Sequence, residues 1–187
     1  MKKYVLILVL FLIPSLCFGE TFIFRSTNWG MSKNQVKQIE KLTVEEEHED
    51  SLFYTTTLSS LDSLIAYSFT NDKLFQTAYM FLEEHSNSYS YIEDFDKIDN
   101  LLTQKYGEPN ASDKIWKNDL FKDDYKGWGT ALSAGHLTII SKWEIEDTEI
   151  THIAYGDNFE VKHAIIYKSK KYAPSEIEQN QDDLSNL

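Results

Sequence analysis

Disulfides have no place in this chain's expected architecture. Its single cysteine, Cys17, lies in an apolar N-terminal stretch, and cleavage after Gly19 leaves a mature chain with none, so stability comes from the core alone. No Gly-x-Ser-x-Gly elbow occurs, nor any His-Glu-x-x-His pair or Cys/His cluster. The usual acyl-transfer nucleophiles and zinc frameworks therefore lose support. Basic residues are scarce, 18 against 30 acidic ones, for a net charge of −12. Such a balance repels phosphate backbones and anionic lipid heads, which argues against nucleic acid as a partner. Long apolar runs are also missing. The longest, Tyr4 to Ile13, rises only about 15 Å as a helix, half of a bilayer core.

That run is instead the middle of a leader. Met1-Lys2-Lys3, the apolar stretch and Pro14-Ser15-Leu16-Cys17-Phe18-Gly19 make the three parts of a secretory signal over 1–19. The expected setting is periplasmic or extracellular, with no membrane-crossing segment after cleavage. Lipid attachment through Cys17 is less favoured, because Leu16 and Pro14 occupy positions where that processing wants a small residue and a leucine. Four Trp and eleven Tyr support a folded, β-rich body over 20–172. Residues 173–187, with Pro174 and a run of acids and amides, are expected as a solvated tail.

Ser32 and Gln35 form an S-x-x-Q capping box, with Met31 and Val36 as its hydrophobic staple. The helix is expected to bury Val36, Ile39 and Leu42, to show Lys33, Lys37 and Lys41 to water, and to end near Thr43. Glu45 to Asp50 reads as a solvated acidic loop. Strands are expected over 52–58, 63–69 and 74–82, the last two as a hairpin. Ser90 and Glu93 make a second capping box, opening a helix through Tyr91, Phe95, Ile98, Leu102 and Tyr106 that Gly107 and Pro109 end. A short strand near 114–118 follows, then a loop with a helical turn at 130–134. The final meander covers 137–145, 149–155 and 160–168. Two-residue turns at Asp147-Thr148 and Asp157-Asn158 put Trp143 opposite His152, and His152 opposite His163. Ile139, Trp143, Ile145, Ile150, Val161 and Ile165 share the core face.

The halves 27–86 and 87–172 repeat one order: capped helix, strand, antiparallel strands. The fold class expected is α+β, a two-layer sandwich with two main helices on one face of an antiparallel sheet and a duplicated α-β-β-β unit.

The stretch Gly30-Met31-Ser32-Lys33-Asn34-Gln35-Val36 resembles the Gly-Met-Ser/Thr-x-x-x-Val opening of the BamE/SmpA family of small bacterial envelope proteins. In that family the motif begins a helix that closes with Leu-Gly-x-Pro and leads into an antiparallel sheet. Here the closing pattern, Tyr106-Gly107-Glu108-Pro109, belongs to the second helix. The resemblance implies an export-pathway protein with a non-enzymatic, protein-contacting role.

Candidate site residues are few. The cross-strand pair His152 and His163 could share one metal ion, although a packed, hydrogen-bonded pair is the favoured reading. Glu45 to Asp50 and Asp123-Asp124 lack the spacing that wraps calcium. The stripe Lys33, Lys37, Lys41 is either a steering patch for an acidic partner or a wet helix face. Trp29 and Trp128 stand beside glycine in loops, where indoles bind partners or cover a sheet end. No catalytic set or cofactor is called for. The favoured function is an exported, non-catalytic protein acting through contacts with an envelope or extracellular protein, its oligomeric state left open. A secreted hydrolase and a small-ligand carrier with a pocket between helices and sheet are the alternatives.

Overall fold

Ser32 starts the first helix as its spacing requires. Its hydroxyl accepts from the Gln35 amide, and the Gln35 side chain accepts from the Ser32 amide at 2.8 Å. This computed structural model describes residues 23–174, so the leader 1–19 and the tail from 175 lie outside the described residues. Helix α1 runs only Lys33–Ile39, ending where Glu40 adopts an extended backbone. That exit carries the Glu40 carboxylate to Arg25 Nε (2.8 Å) and the Tyr67 hydroxyl (2.7 Å). Val36 is fully buried, whereas Ile39 and Leu42 are only half-buried, because the helix stops before its second turn closes on the core.

The acidic run expected as a loop instead begins with a short strand, β1 (Glu46–Glu47), which pairs with β2 (Ser51–Leu58). Strands β3 (Leu61–Thr70) and β4 (Lys73–Phe81) continue the meander. Helix α2 spans Tyr89–Tyr106 and stops at Gly107, whose φ of 83° is the left-handed geometry a glycine supplies. Its start departs from the Ser90/Glu93 box: Ser88 is the N-cap and makes no side-chain cap hydrogen bond. Tertiary packing decides this. Ser88 Oγ turns to Thr130 Oγ1 at 3.4 Å, and a Cβ on Gly129 would lie 2.2 Å from the Ser88 carbonyl. Helix α2 buries Ile92, Phe95, Ile98 and Leu102, with Tyr91 and Tyr106 half-buried.

Strand β5 (Ala111–Trp116) precedes a 3-10 turn at Tyr125–Gly127 and a short helix, α3 (Trp128–Ser133). The last meander is β6 (Leu137–Ile145), β7 (Thr148–Asp157) and β8 (Glu160–Ser169). All eight strands join one antiparallel sheet in the order β1-β2-β3-β4-β8-β7-β6-β5, so the fold is α+β. Each half is a meander, and the two meet where β4 pairs with β8.

Both turns of the final meander sit one residue from their expected places, at Glu146-Asp147 and Asn158-Phe159, because Ile145 pairs with Thr148 and Asp157 with Glu160. Moving a two-residue turn by one slides the strands by two. Ser141, not Trp143, therefore lies opposite His152, and Ile165, not His163, lies on its other side. A slip of two leaves every side chain on its face, so Ile139, Trp143, Ile150 and Ile165 are buried together, with Ile145 and Val161 half-buried at the ends.

Two clusters fill the interior. One joins Val36, Ile98 and Leu102 to Leu52, Tyr54, Ile65, Tyr67, Trp143 and Ile165. The other joins Ile92 and Phe95 to Ala131, Leu132, Leu137, Ile139 and Ala154.

Candidate functional site

The histidine pair survives the change of register. His163 lies diagonally from His152 on the same face, and their Nε2 atoms are 2.8 Å apart. His152 Nδ1 lies 3.0 Å from Asp99 Oδ1 on α2. Phe95 stacks flat on the His152 ring at 3.9 Å, and Phe81 covers His163 at 4.3 Å. Four elements, α2, β4, β7 and β8, therefore close around one buried chain of polar groups.

Protons order that chain. Burial pushes His152 below its ordinary value of 6.5 despite the nearby Asp99 and Asp96 carboxylates. Burial drives His163 down further, with the His152 charge opposing a second one. For Asp99, burial opposes ionisation, but hydrogen bonds from His152 and Ser141 overcome it and hold the carboxyl below its usual range. An ionised Asp99 accepts from His152 Nδ1–H, which leaves His152 Nε2 to accept from His163 Nε2–H. Two imidazole ligands on one tetrahedral zinc sit roughly 3.3 Å apart, so an ion there would replace this hydrogen bond. Among the described residues no group of three or more His, Cys, Asp or Glu is gathered as a metal site. What the arrangement does chemically is hold α2 to the sheet with matched donors and acceptors.

The two loop indoles have different fates. Trp29 packs half-buried against the larger core cluster, and its Nε1 donates to Thr148 Oγ1 at 2.9 Å. It covers the protein's own sheet. Trp128 donates to the Lys122 carbonyl at 3.1 Å and lies against Tyr125 and Trp116, with Lys114 over its ring at 5.3 Å. The lysine stripe is engaged as well: Lys33 Nζ donates to the His48 and Glu49 carbonyls, and Lys37 pairs with Glu47 at 2.6 Å. The acidic hairpin thus neutralises most of that basic face.

Two hollows among the described residues open to solvent. One of about 260 Å³ lies between the end of α2 and the β6–β7 turn, lined by Tyr106, Ile145, Ile150 and Tyr167 among others. That is below the usual size of a small-molecule site, roughly 300–1,000 Å³. Another, of about 300 Å³, lies between the start of α2 and the β7–β8 turn.

The sheet surface that alternates with the buried one carries rows of apolar side chains. Registered pairing aligns Phe53, Ala66, Ala78 and Ile166 in one row across β2, β3, β4 and β8. The next row is Leu64, Met80, Ala164, Ile153 and Ile140. Except for buried Ala78, every one is half-buried. A third row holds Lys162, Tyr155, Thr138 and Ile115, with Leu82 just beyond the Phe81–His163 pair. Tyr155 is 42%, Leu82 52% and Ile115 52% exposed. Charged residues border the apolar rows: Asp62, Asp113, Glu144 and Glu149 with Lys142, Lys162 and Lys168.

Sequence reasoning missed this surface. The alternation that marks its partner face in β3, β7 and β8 also marks this one, as aliphatic residues where a solvated face would be polar. Among the described residues the fold is α+β, built on one open eight-stranded antiparallel sheet. No family model matches the chain, and neither a curated protein nor a solved structure matches it.

Proposed function

We propose that this is an exported, non-catalytic protein-binding module that docks a folded partner on the open face of its sheet. One observation carries the reading: the strand register lines up Phe53, Leu64, Met80, Ile140, Ile153 and Ile166 on one face of the sheet, where each keeps part of its apolar surface open. Contiguous apolar surface rimmed by mixed charge has the anatomy of a protein interface. The two apolar rows cross six strands, about 24 Å, and lie about 7 Å apart along the strands. They form the apolar centre, a few hundred Å², of an interface that needs roughly 800 Å² per partner.

Export is supported by the leader pattern at 1–19, and an envelope setting by the Gly-Met-Ser-x-x-x-Val and Tyr-Gly-x-Pro likeness to BamE/SmpA proteins. No helix among the described residues is long and apolar enough to cross a membrane. We further propose a two-layer arrangement built from a duplicated unit. Its support is the mirrored strand order, in which each half runs helix then four-stranded meander and the last strands pair.

The test is capture from an envelope extract by the immobilised mature chain. The double variant Ile140→Lys/Ile153→Lys, folded by circular dichroism, loses the captured protein, while Glu93→Lys on the exposed side of α2 retains it. Capture that both variants keep, or saturable binding of a small molecule with no protein recovered, overturns the reading.

A further inference from the structure

The sheet is open, so it ends in two edges, and they differ. At one edge β1 covers Leu52 and Phe53 of β2. At the other, β5 has a strand on one side only, and every residue from Ala111 to Ile115 is exposed. One bond tells which main-chain groups of β5 face outward. The Lys117 amide donates to the His136 carbonyl at 2.8 Å, continuing the register in which Trp116 faces Leu137. Bonded and non-bonded pairs alternate along antiparallel strands, so Asp113 and Ile115 also turn their amides and carbonyls to β6. Ser112, Lys114 and Trp116 turn theirs to the free edge, where no other main-chain group among the described residues meets them.

A bare edge is a template for another strand unless charge, proline or a bulge guards it. Strand β5 has no proline, and its Lys114 is drawn inward over the Trp128 ring. Ile115 stands exposed on the open face of the sheet. Asp113 and Lys117 flank it on that face, and neither joins an ion pair among the described residues.

We infer that β5 pairs with β5 of a second copy of this chain, antiparallel and two-fold about Ile115, joining the two sheets edge to edge. A two-fold axis normal to a sheet keeps each side chain on its face and brings outward main-chain groups to outward ones. The registers that overlap most are then centred on Asp113, Lys114 or Ile115. The first two set like charges against each other, which disfavours pairing. Centring on Ile115 sets Ile115 against Ile115, Asp113 against Lys117 and Lys114 beside the Trp116 indole, each contact made twice. The strand is its own complement in that register alone. The overall charge of −12 opposes self-association, but salt screens it beyond about 8 Å, and the edge itself sets Asp113 against Lys114 and Lys117. So short an edge buries less than a standard interface, so the dimer is weak. This pairing goes beyond the protein-binding reading and does not depend on it; it places both open faces on the same side of one continuous sheet.

Single cysteines read the register directly, in the full chain with Cys17→Ser so that no other thiol is present. Ile115→Cys sits on the axis at a non-bonded pair, with Cα atoms about 4.5 Å apart, inside the range a disulfide spans. Asp113→Cys and Lys114→Cys lie two and one residues off the axis, which separates the matching Cα atoms by roughly 14 and 9 Å, too far to bridge. Under mild oxidation a covalent dimer is expected from position 115 and not from 113 or 114. In sedimentation equilibrium Asp113→Lys should weaken dimerisation about ten-fold, because both symmetric pairs become like-charged, and Asp113→Lys/Lys117→Asp should restore it. Cross-linking from 113 or 114, equal cross-linking from all three positions, or none from 115 overturns the inference. So does a charge swap that restores nothing. All of these outcomes leave the open-face reading untouched.

Discussion

The contact between His152 and His163 leaves room for one proton between their Nε2 atoms, so the pair cannot both be charged. Two imidazoles with Nε2 atoms 2.8 Å apart share one proton between those atoms, and protonating both places two donors face to face. The groups around them are Asp99 and Asp96 on α2, Ser141 on β6, Lys114 on β5 and the Phe81 and Phe95 rings. Only Asp99 makes a direct hydrogen bond to either ring, and it reaches the far nitrogen of His152. Both histidines have folded-state values below 6.5, so the unfolded chain binds more protons than the folded one as pH falls through 6.5. Stability is full above that value and declines below it, by up to about 1.4 kcal/mol per pH unit for each histidine. Urea unfolding at pH 7.5 and 5.5 should show the drop, and His163→Phe should reduce its slope by about half. An unchanged slope would mean that His163 binds its proton equally in the folded and unfolded chain.

Local rules decide the elements unevenly. The Ser32 capping box was legible because four neighbouring residues specify it, and Ser32→Ala should cost about 1 kcal/mol in chemical denaturation. Gly107 likewise ends α2 for a reason visible in sequence. The start of α2 was not legible, since Ser88 answers to Thr130 and Gly129 some forty residues later. Nor was the register of β6, β7 and β8, because apolar alternation repeats every two residues and accepts a slip of two without complaint. Close approach helps to fix it. A Cβ on Gly156 would lie 2.0 Å from the Leu132 carbonyl, so β7 meets α3 only with glycine at that point. Gly156→Ala should therefore destabilise by at least about 2 kcal/mol, measured by thermal unfolding, and a neutral result would mean that α3 sits elsewhere.

Whole-molecule features draw on information that no single segment holds. The α+β class and the paired helix-and-strand order followed from periodicity, whereas the continuous eight-stranded sheet depends on β4 meeting β8. Only that union brings Leu64 and Met80 from one half beside Ala164, Ile153 and Ile140 from the other. Read strand by strand, those residues are unremarkable aliphatics; read across the sheet, they make the apolar centre of the face. The same union places Leu82 near the β7–β8 tip. The two histidines and Trp29 pack within the fold and Trp128 lies against its own loop, whereas the surface proposed for a partner is one that topology assembles.

That surface can be probed position by position. A photo-cross-linking residue is placed in turn at Phe53, Leu64, Ile153 and Ile166 on the open face, and at Glu93, Asn100 and Gln104 on the exposed side of α2. Adducts with one common protein from the four sheet positions, and none from the three helix positions, are the result expected here. Adducts from α2 with a bare sheet face would contradict the central claim.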